Sequence, residues 1–313
     1  MRIFVAGASG ALGRRLVPML TARGFQVTGS AHTASGVTAV AAAGADPVRM
    51  DGLDRHSVER AVRQARPDVV IHQLSALKGA GNPKKFDQEF AVTNRLRVEA
   101  GDHLLAAAQD AGATRFIAQS FTGWTNERVG AGLKDETVPV DPRPARGSER
   151  TLAAIKHLEE AVAAAKGLAG LALRYGIFYG PGTGLGAGGD LLEMIRKRKL
   201  PVVGGGAGVW SMVHIDDAAS ATVCAVERGA SGVYNIVDNE PAPVAAWLPY
   251  LADVIGAKPP LRLPGWLAKP MLGEHGLSLM TQIRGSSNAK AKAELGWAPA
   301  YPSWREGFRS GLA

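Results

Sequence analysis

The stretch Gly7-Ala8-Ser9-Gly10-Ala11-Leu12-Gly13 decides the fold, because it spaces three glycines as G-x-x-G-x-x-G between two patterned segments. The apolar residues Ile3 to Ala6 predict a strand before it, and Leu12 to Arg23 predict an amphipathic helix after it. Such glycines permit a sharp turn and a close approach to a diphosphate, while the helix N-terminus offers unpaired N–H groups. We expect a dinucleotide to bind here; a plain strand-to-helix turn is the alternative.

The residue types that follow the second predicted strand favour NADP(H) over NAD(H). An acidic side chain about 20 residues beyond the glycines would bind a ribose 2′-hydroxyl, and Thr28 to Thr33 contain none. Ser30, His32 and Arg14 could instead donate to a 2′-phosphate, although His32 could equally be an ordinary loop residue. From the turn and the next two strand ends we predict these cofactor contacts: Gly7, Ser9, Gly10, Ala11, Leu12, Gly13, Arg14, His32, Asp51 and Gly52.

Short apolar runs alternate with Ala- and Leu-rich helical segments as far as residue 175, which predicts parallel βαβ units. We expect six strands in a doubly wound, Rossmann-type α/β sheet. The long helix of this series is predicted over about Phe86 to Ala111. Beyond Tyr175 glycines and prolines loosen the alternation, so we predict a dinucleotide-binding domain over 1–175 and a smaller, mostly helical substrate lobe over 176–313, interleaved with returning core elements.

Composition describes an ordinary globular chain of 313 residues with a formal charge of +8, 46% hydrophobic and 20% charged. Every hydrophobic run is interrupted before it could span a bilayer, and the lone Cys224 cannot form an intramolecular disulfide. We therefore expect a cytoplasmic protein without a membrane or nucleic-acid partner. The scattered histidines predict no metal site. A homodimer remains an open possibility.

Four further segments make the chain resemble the extended short-chain dehydrogenases/reductases, the NAD(P)-dependent epimerase/dehydratase family. These segments are Asp68 to Ala76, Leu173 to Gly182, Val213 to Ala219 and Asn288 to Trp297. The resemblance covers almost the whole chain. It implies that the backbone of Leu74, Ser75 and Ala76 passes the cofactor, that Tyr175 lies beside the nicotinamide, and that the C-terminal lobe holds the substrate.

Family chemistry uses a Tyr-x-x-x-Lys pair on the helix before the sixth strand and a Ser or Thr after the fifth. Residues four apart share a helix face, so the lysine lowers the tyrosine pKa and binds the nicotinamide ribose. Here Lys156 matches the lysine, whereas Leu152 stands at the tyrosine position. Ser120 and Thr122 flank Phe121, which occupies the usual hydroxyl position. Arg97 stands where many relatives have Asn.

A leucine cannot transfer a proton, so three explanations remain open. Another group near the nicotinamide could donate the proton: Thr122, Ser120, Tyr175, a residue of the substrate lobe or ordered water. Alternatively, the hydride acceptor could need little acid–base help, as an iminium or activated alkene would. In the third explanation catalysis is lost, and the chain is an NADP(H)-binding sensor or partner protein. We predict an oxidoreductase acting on a small carbonyl, imine or sugar-like molecule, with Lys156, Ser120 and Thr122 as the catalytic candidates. Trp124, Arg262 and Arg284 are the predicted substrate contacts, with packing or surface charge as the alternative.

Overall fold

The computed structural model describes residues 1–77, 81–130 and 132–313. Its strands are β1 (Arg2–Ala6), β2 (Gln26–Ala31), β3 (Asp46–Arg49), β4 (Val69–His72), β5 (Arg115–Phe121), β6 (Ala169–Tyr175), β7 (Ile177–Tyr179), β8 (Val202–Val203), β9 (Val209–Trp210), β10 (Met212–His214), β11 (Gly232–Ile236), β12 (Ala242–Pro243) and β13 (Arg262–Leu263).

Helices follow most of these strands and supply the layers on either face of the sheet. They are α1 (Ala11–Ala22), α2 (Ala34–Ala42), α3 (Arg55–Ala65), α4 (Phe86–Glu89), α5 (Ala91–Arg95), α6 (Gly101–Asp110), α7 (Glu149–Ala164), α8 (Asp190–Arg196), α9 (Ile215–Arg228), α10 (Val244–Val254), α11 (Gly265–Thr281), α12 (Ala289–Leu295) and α13 (Trp304–Ser310).

The central sheet has the strand order β11-β6-β5-β4-β1-β2-β3, and every neighbouring pair is parallel. The Rossmann-type prediction is therefore confirmed. The sheet has one strand more than the six expected, because β11, from the C-terminal part of the chain, returns to pair with β6. The order of the strands along the sheet reverses between β1 and β4. Where the strand order reverses, a parallel sheet forms a crevice at its carboxyl edge.

Buried apolar side chains form one core on each face of the sheet and another in the lobe. The α1 and α9 face packs around Leu16 and Val223, while the α3 and α6 face packs around Phe4 and Phe116. Trp247 and Trp304 lie at the centre of the lobe. No helix among the described residues is long and apolar enough to cross a membrane.

The predicted long helix over Phe86 to Ala111 is broken, contrary to expectation. The pieces α4 and α5 meet at Phe90, whose backbone leaves helical geometry at φ −89° and ψ 1°. A π-helical turn, Leu96–Ala100, then separates α5 from α6. One extra residue in a turn rotates the side chains that follow it, and such turns are frequent at functional sites.

Candidate functional site

The glycine turn has the geometry that a bound diphosphate requires. Gly7 adopts φ +90°, and a Cβ there would lie 2.8 Å from the carbonyl oxygen of Gln73. A Cβ on Gly13 would lie 2.5 Å from the carbonyl oxygen of Ala8, so both positions need glycine. Helix α1 begins after Gly10 without a side-chain cap, which leaves its first amides available to an anion.

Side chains around the turn divide into exposed and buried ones. Arg14 and His32 are exposed, and Arg14 Nε donates to the carbonyl of Ser9 at 2.9 Å. Ser30 differs from the prediction, because it is buried and its hydroxyl accepts a hydrogen bond from the Gly7 amide at 3.2 Å. Ser30 therefore stabilises the turn, whereas Arg14 and His32 stay exposed beside it.

The end of β3 presents Asp51 to solvent beside a close backbone approach. A Cβ on buried Gly52 would lie 2.6 Å from Leu74 Cδ1, so this glycine lets the loops after β3 and β4 meet. Asp51 Oδ1 accepts from the Leu53 amide, while Asp54 caps α3 by accepting from two backbone amides. The carboxylate of Asp51 remains exposed, as an adenine contact requires.

The predicted cofactor segment after β4 is tied to the neighbouring helix. The Ala76 amide donates to Thr93 Oγ1 at 3.1 Å, and the Leu74 amide donates to His72 Nδ1 at 3.2 Å. Ser75 lies between them with its side chain exposed at the carboxyl edge of the sheet. The loop is thereby held by side-chain contacts.

Ser120 lies in a buried ion pair rather than in an open site. Its hydroxyl donates to Glu159 Oε1 at 2.5 Å, and Arg174 binds both oxygens of the same carboxylate at 2.7 and 2.6 Å. All three side chains are buried. The prediction of Ser120 as a catalytic hydroxyl conflicts with this arrangement, since its proton is bound to Glu159.

Thr122 is likewise buried, at 1% exposure, and bonded within the protein. Its hydroxyl lies 2.6 Å from Ser286 Oγ and 3.3 Å from Asn126 Oδ1. Asn126 in turn donates to Ser286 Oγ and to the carbonyl of Arg284. The cluster joins the loop after β5 to the segment after α11, which makes Thr122 a link between the sheet and the lobe.

Tyr175 was predicted to lie beside the nicotinamide, and the structure places it in the core instead. Its side chain is 1% exposed and packs on the α9 face. The hydroxyl lies 2.7 Å from Thr222 Oγ1 and accepts from Gln73 Nε2, while burial raises its pKa to about 12. The alternation of β6 directs this side chain to the face of the sheet that α9 covers.

Helix α7 directs its residues differently from the predicted tyrosine–lysine register. Leu152 is buried at 3% exposure, but Lys156 lies on the exposed face with His157. Thr151 and Ile155 are also four residues apart, and both are buried. The inward face of α7 therefore carries a threonine and an isoleucine, and no ammonium group.

Aromatic side chains meet where the sheet edge faces the lobe. Phe86 lies 4.0 Å from His275 and 5.3 Å from Trp124, between ring centroids, and Phe121 lies 6.2 Å from Trp124. Phe86, Phe121 and Trp124 remain partly exposed. We call Phe86, Phe90, Phe121, Trp124 and His275 the aromatic wall; it offers flat apolar surface suited to a planar ligand.

The predicted substrate contacts do not all come together. Trp124 belongs to the aromatic wall, and Arg284 lines a cleft of about 610 Å³ together with Arg128 and Arg143. Arg262 lies elsewhere, on the exposed two-residue strand β13 that pairs with β8. Its exposure fits the alternative of surface charge.

Sequence reasoning gave no role to two buried groups near this edge. His275 is 2% exposed and its Nε2 has no hydrogen-bond partner among the described residues, while burial lowers its pKa to about 4. Arg97 is 9% exposed, and its Nη1 donates to Asn94 Oδ1 at 3.0 Å. Its substitution for the family Asn was the signal that pointed to this position.

The structure combines available helix amides at a glycine turn, a crevice at the carboxyl edge of the sheet and a separate lobe. Together these features define a dinucleotide-dependent enzyme of the Rossmann class. A family model, the NAD dependent epimerase/dehydratase family, matches residues 3–237. The chain belongs to this family, and it is an NAD(P)-dependent enzyme of oxidoreductase or epimerase type.

Individual relatives support the same class. The chain is 45% identical over 311 residues to a Streptomyces protein named 3-diazoavenalumate denitrifying reductase, covering 98% of this chain and 99% of the relative. A Thermus thermophilus UDP-glucose 4-epimerase in complex with NAD matches with a TM-score of 0.77 at 26% identity, covering 100% and 98%. A human epimerase family protein with NADPH matches in fold, with a TM-score of 0.76 at 18% identity over 100% and 99%.

Proposed function

We propose that this chain is an NADPH-dependent reductase that replaces a diazo group on an aromatic ring with hydrogen, releasing dinitrogen. The support is the 45% identity over nearly both full lengths to a denitrifying reductase, together with the aromatic wall of this chain. Leu152 and Phe121 stand at two positions where the family has its catalytic tyrosine and hydroxyl, which favours a hydride acceptor other than a carbonyl.

The observation that carries the proposal is the state of the candidate proton donors. Ser120, Thr122 and Tyr175 are all buried and bonded inside the protein, and Leu152 has no proton to give. Reduction of a ketone needs a proton on the developing alkoxide. An electrophilic nitrogen needs no such donor, which agrees with a site lacking one.

The proposed reaction balances without a protein acid. When bound, the reduced nicotinamide supplies a hydride, whose electron pair forms an N–H bond at the terminal nitrogen of an aryl diazonium. The carbon–nitrogen bond then breaks, dinitrogen leaves, and the ring carbon receives the proton that was on nitrogen. Each aryl diazonium and hydride therefore give one arene and one dinitrogen. The protein's tasks are to orient the ring and exclude water.

Two features of this chain suit those tasks. The partly exposed faces of Phe86, Phe121 and Trp124 offer stacking surface to an aryl ring at the sheet edge. His275, whose pKa burial lowers to about 4, adds a buried, uncharged imidazole behind the same wall. A flat aromatic substrate matches this surface better than a sugar does.

The preference for NADPH over NADH is part of the proposal. No carboxylate follows β2 to repel a 2′-phosphate, and Arg14 and His32 are exposed near the turn. A cytoplasmic location and the absence of nucleic-acid and membrane partners are proposed from composition and from the single buried Cys224.

The test is a turnover screen that compares hydride acceptors. Purified protein with NADPH is followed at the nicotinamide absorbance band against aryl diazonium or quinone diazide compounds, matched phenyl ketones and nucleotide sugars. We expect NADPH oxidation and gas release with the diazo compounds alone. Turnover with ketones and none with diazo compounds would replace this proposal with carbonyl reduction.

A further inference from the structure

Arg97 is a buried cation without a carboxylate partner. Its guanidinium makes one hydrogen bond, to Asn94 Oδ1, and no ion pair with any Asp or Glu of the described residues. The Phe90 ring lies 5.8 Å from its central carbon. Burial alone lowers its pKa, to about 10, so it remains charged at neutral pH. A buried charge is costly unless a further partner satisfies it.

The position of Arg97 points to the nicotinamide half of the cofactor. The diphosphate turn follows β1, and β2 and β3 lie on one side of it while β4 and β5 lie on the other. In this architecture each half of the sheet holds one half of the dinucleotide. Asp51 follows β3 on the adenosine side, whereas Arg97 lies beside β4. The carbonyl oxygen of the neighbouring Leu96 lies 3.1 Å from Nε2 of His72, the last residue of β4.

Hydrogen bonds connect Arg97 to the inward face of α7. Asn94 accepts from Arg97 through Oδ1 and donates through Nδ2 to Thr151 Oγ1 at 3.0 Å. Asp87 ends this series of hydrogen bonds by accepting one from the Thr151 hydroxyl at 2.6 Å. Arg97 is therefore held against the first turns of α7, where Leu152 and Ile155 are aliphatic.

We propose that the Arg97 guanidinium binds the ribose hydroxyls of the nicotinamide half. The π-helical turn thereby supplies the positive charge that the inward face of α7 lacks. Lys156 is exposed and lies outside the inward face of α7, so the charge comes instead from the π-helical turn. The guanidinium nitrogens not bonded to Asn94 form a planar fork that suits two neighbouring hydroxyls. The inference rests on cofactor use in the proposed function, and it does not depend on the diazo substrate.

The test separates the two halves of the cofactor. Arg97→Met keeps much of the side-chain volume and removes the charge, and NADPH and adenosine 2′,5′-bisphosphate are titrated by calorimetry. We expect NADPH affinity to fall about 10- to 100-fold. Affinity for the bisphosphate, which lacks the nicotinamide half, should stay within about twofold of the wild type. Arg97→Lys should retain part of the NADPH affinity.

A matched control uses Arg95→Met, two residues earlier at the end of α5, because Arg95 is exposed and pairs with Glu99. This variant should bind both ligands as the wild type does. Unchanged NADPH affinity in Arg97→Met would overturn the inference, and so would an equal loss for both ligands, which would show a structural role. Since only binding is measured, failure of the diazo reaction would leave this result intact.

Discussion

The two halves of the cofactor site are built in different ways. On the predicted adenosine side, close backbone approaches shape the site: Gly7, Gly13 and Gly52 lie where a Cβ would collide, and Arg14, His32 and Asp51 at its rim are exposed. On the nicotinamide side, the polar side chains Ser120, Thr122 and Arg97 are buried and bonded within the protein. A site can thus keep its cofactor geometry while its acid–base groups become structural.

The largest expected effect concerns the ion pair on the nicotinamide side. Glu159→Gln leaves the Arg174 guanidinium buried without its counter-charge, which typically costs about 3–5 kcal/mol of unfolding free energy. Denaturant titration measures the loss. Ser120→Ala should cost only about 1 kcal/mol and leave kcat nearly unchanged. A collapse of kcat in Ser120→Ala, with stability retained, would restore a catalytic role for this hydroxyl.

Next comes the adenosine side, where Gly7→Ala places a methyl group 2.8 Å from the Gln73 carbonyl oxygen at φ +90°. We expect NADPH affinity to fall about 100-fold, because the turn must open by a fraction of an ångström. Gly24→Ala is the matched control, since Gly24 has φ +78° and no atom of the described residues lies within 4 Å of the position that a Cβ would take there. That variant should lose stability alone. Equal binding by both variants would show that the turn tolerates a side chain.

The stability of the protein in acid should depend on the buried histidine of the aromatic wall. Burial lowers the pKa of His275 to about 4, so the unfolded chain, at an ordinary pKa near 6.5, binds the proton more tightly. Stability contributed by this group is therefore lost as pH falls from about 6.5 to 4, by about 1–3 kcal/mol. His275→Phe should flatten the fall of Tm over that range.

The smallest effect is expected for Arg14, which is exposed at the rim of the adenosine side. Arg14→Ala should weaken NADPH binding about fivefold through loss of a solvent-screened charge contact, and should leave NADH binding unchanged. Parallel titrations with both cofactors provide the measurement. Equal weakening of NADPH and NADH would move the 2′-phosphate contact away from this residue.

The contrast also explains how far sequence reasoning reached. The glycine turn and the α/β alternation depend on local patterns, and the structure has both as predicted. The burial of Tyr175 and Ser120 and the exposure of Lys156 could not be predicted from local patterns, because they depend on strand alternation and helix phase relative to neighbours distant in sequence. The π-helical turn that positions Arg97 likewise leaves no signal in hydrophobic periodicity.

The most direct test of hydride transfer without a protein acid is the stoichiometry of nitrogen release. An aryl diazo compound labelled with ¹⁵N at both nitrogens is incubated with the protein and a limiting amount of NADPH, and the headspace is analysed by mass spectrometry. We predict one doubly labelled dinitrogen and one arene for each NADPH oxidised. NADPH oxidation with the label retained in the organic product would contradict the proposed reaction.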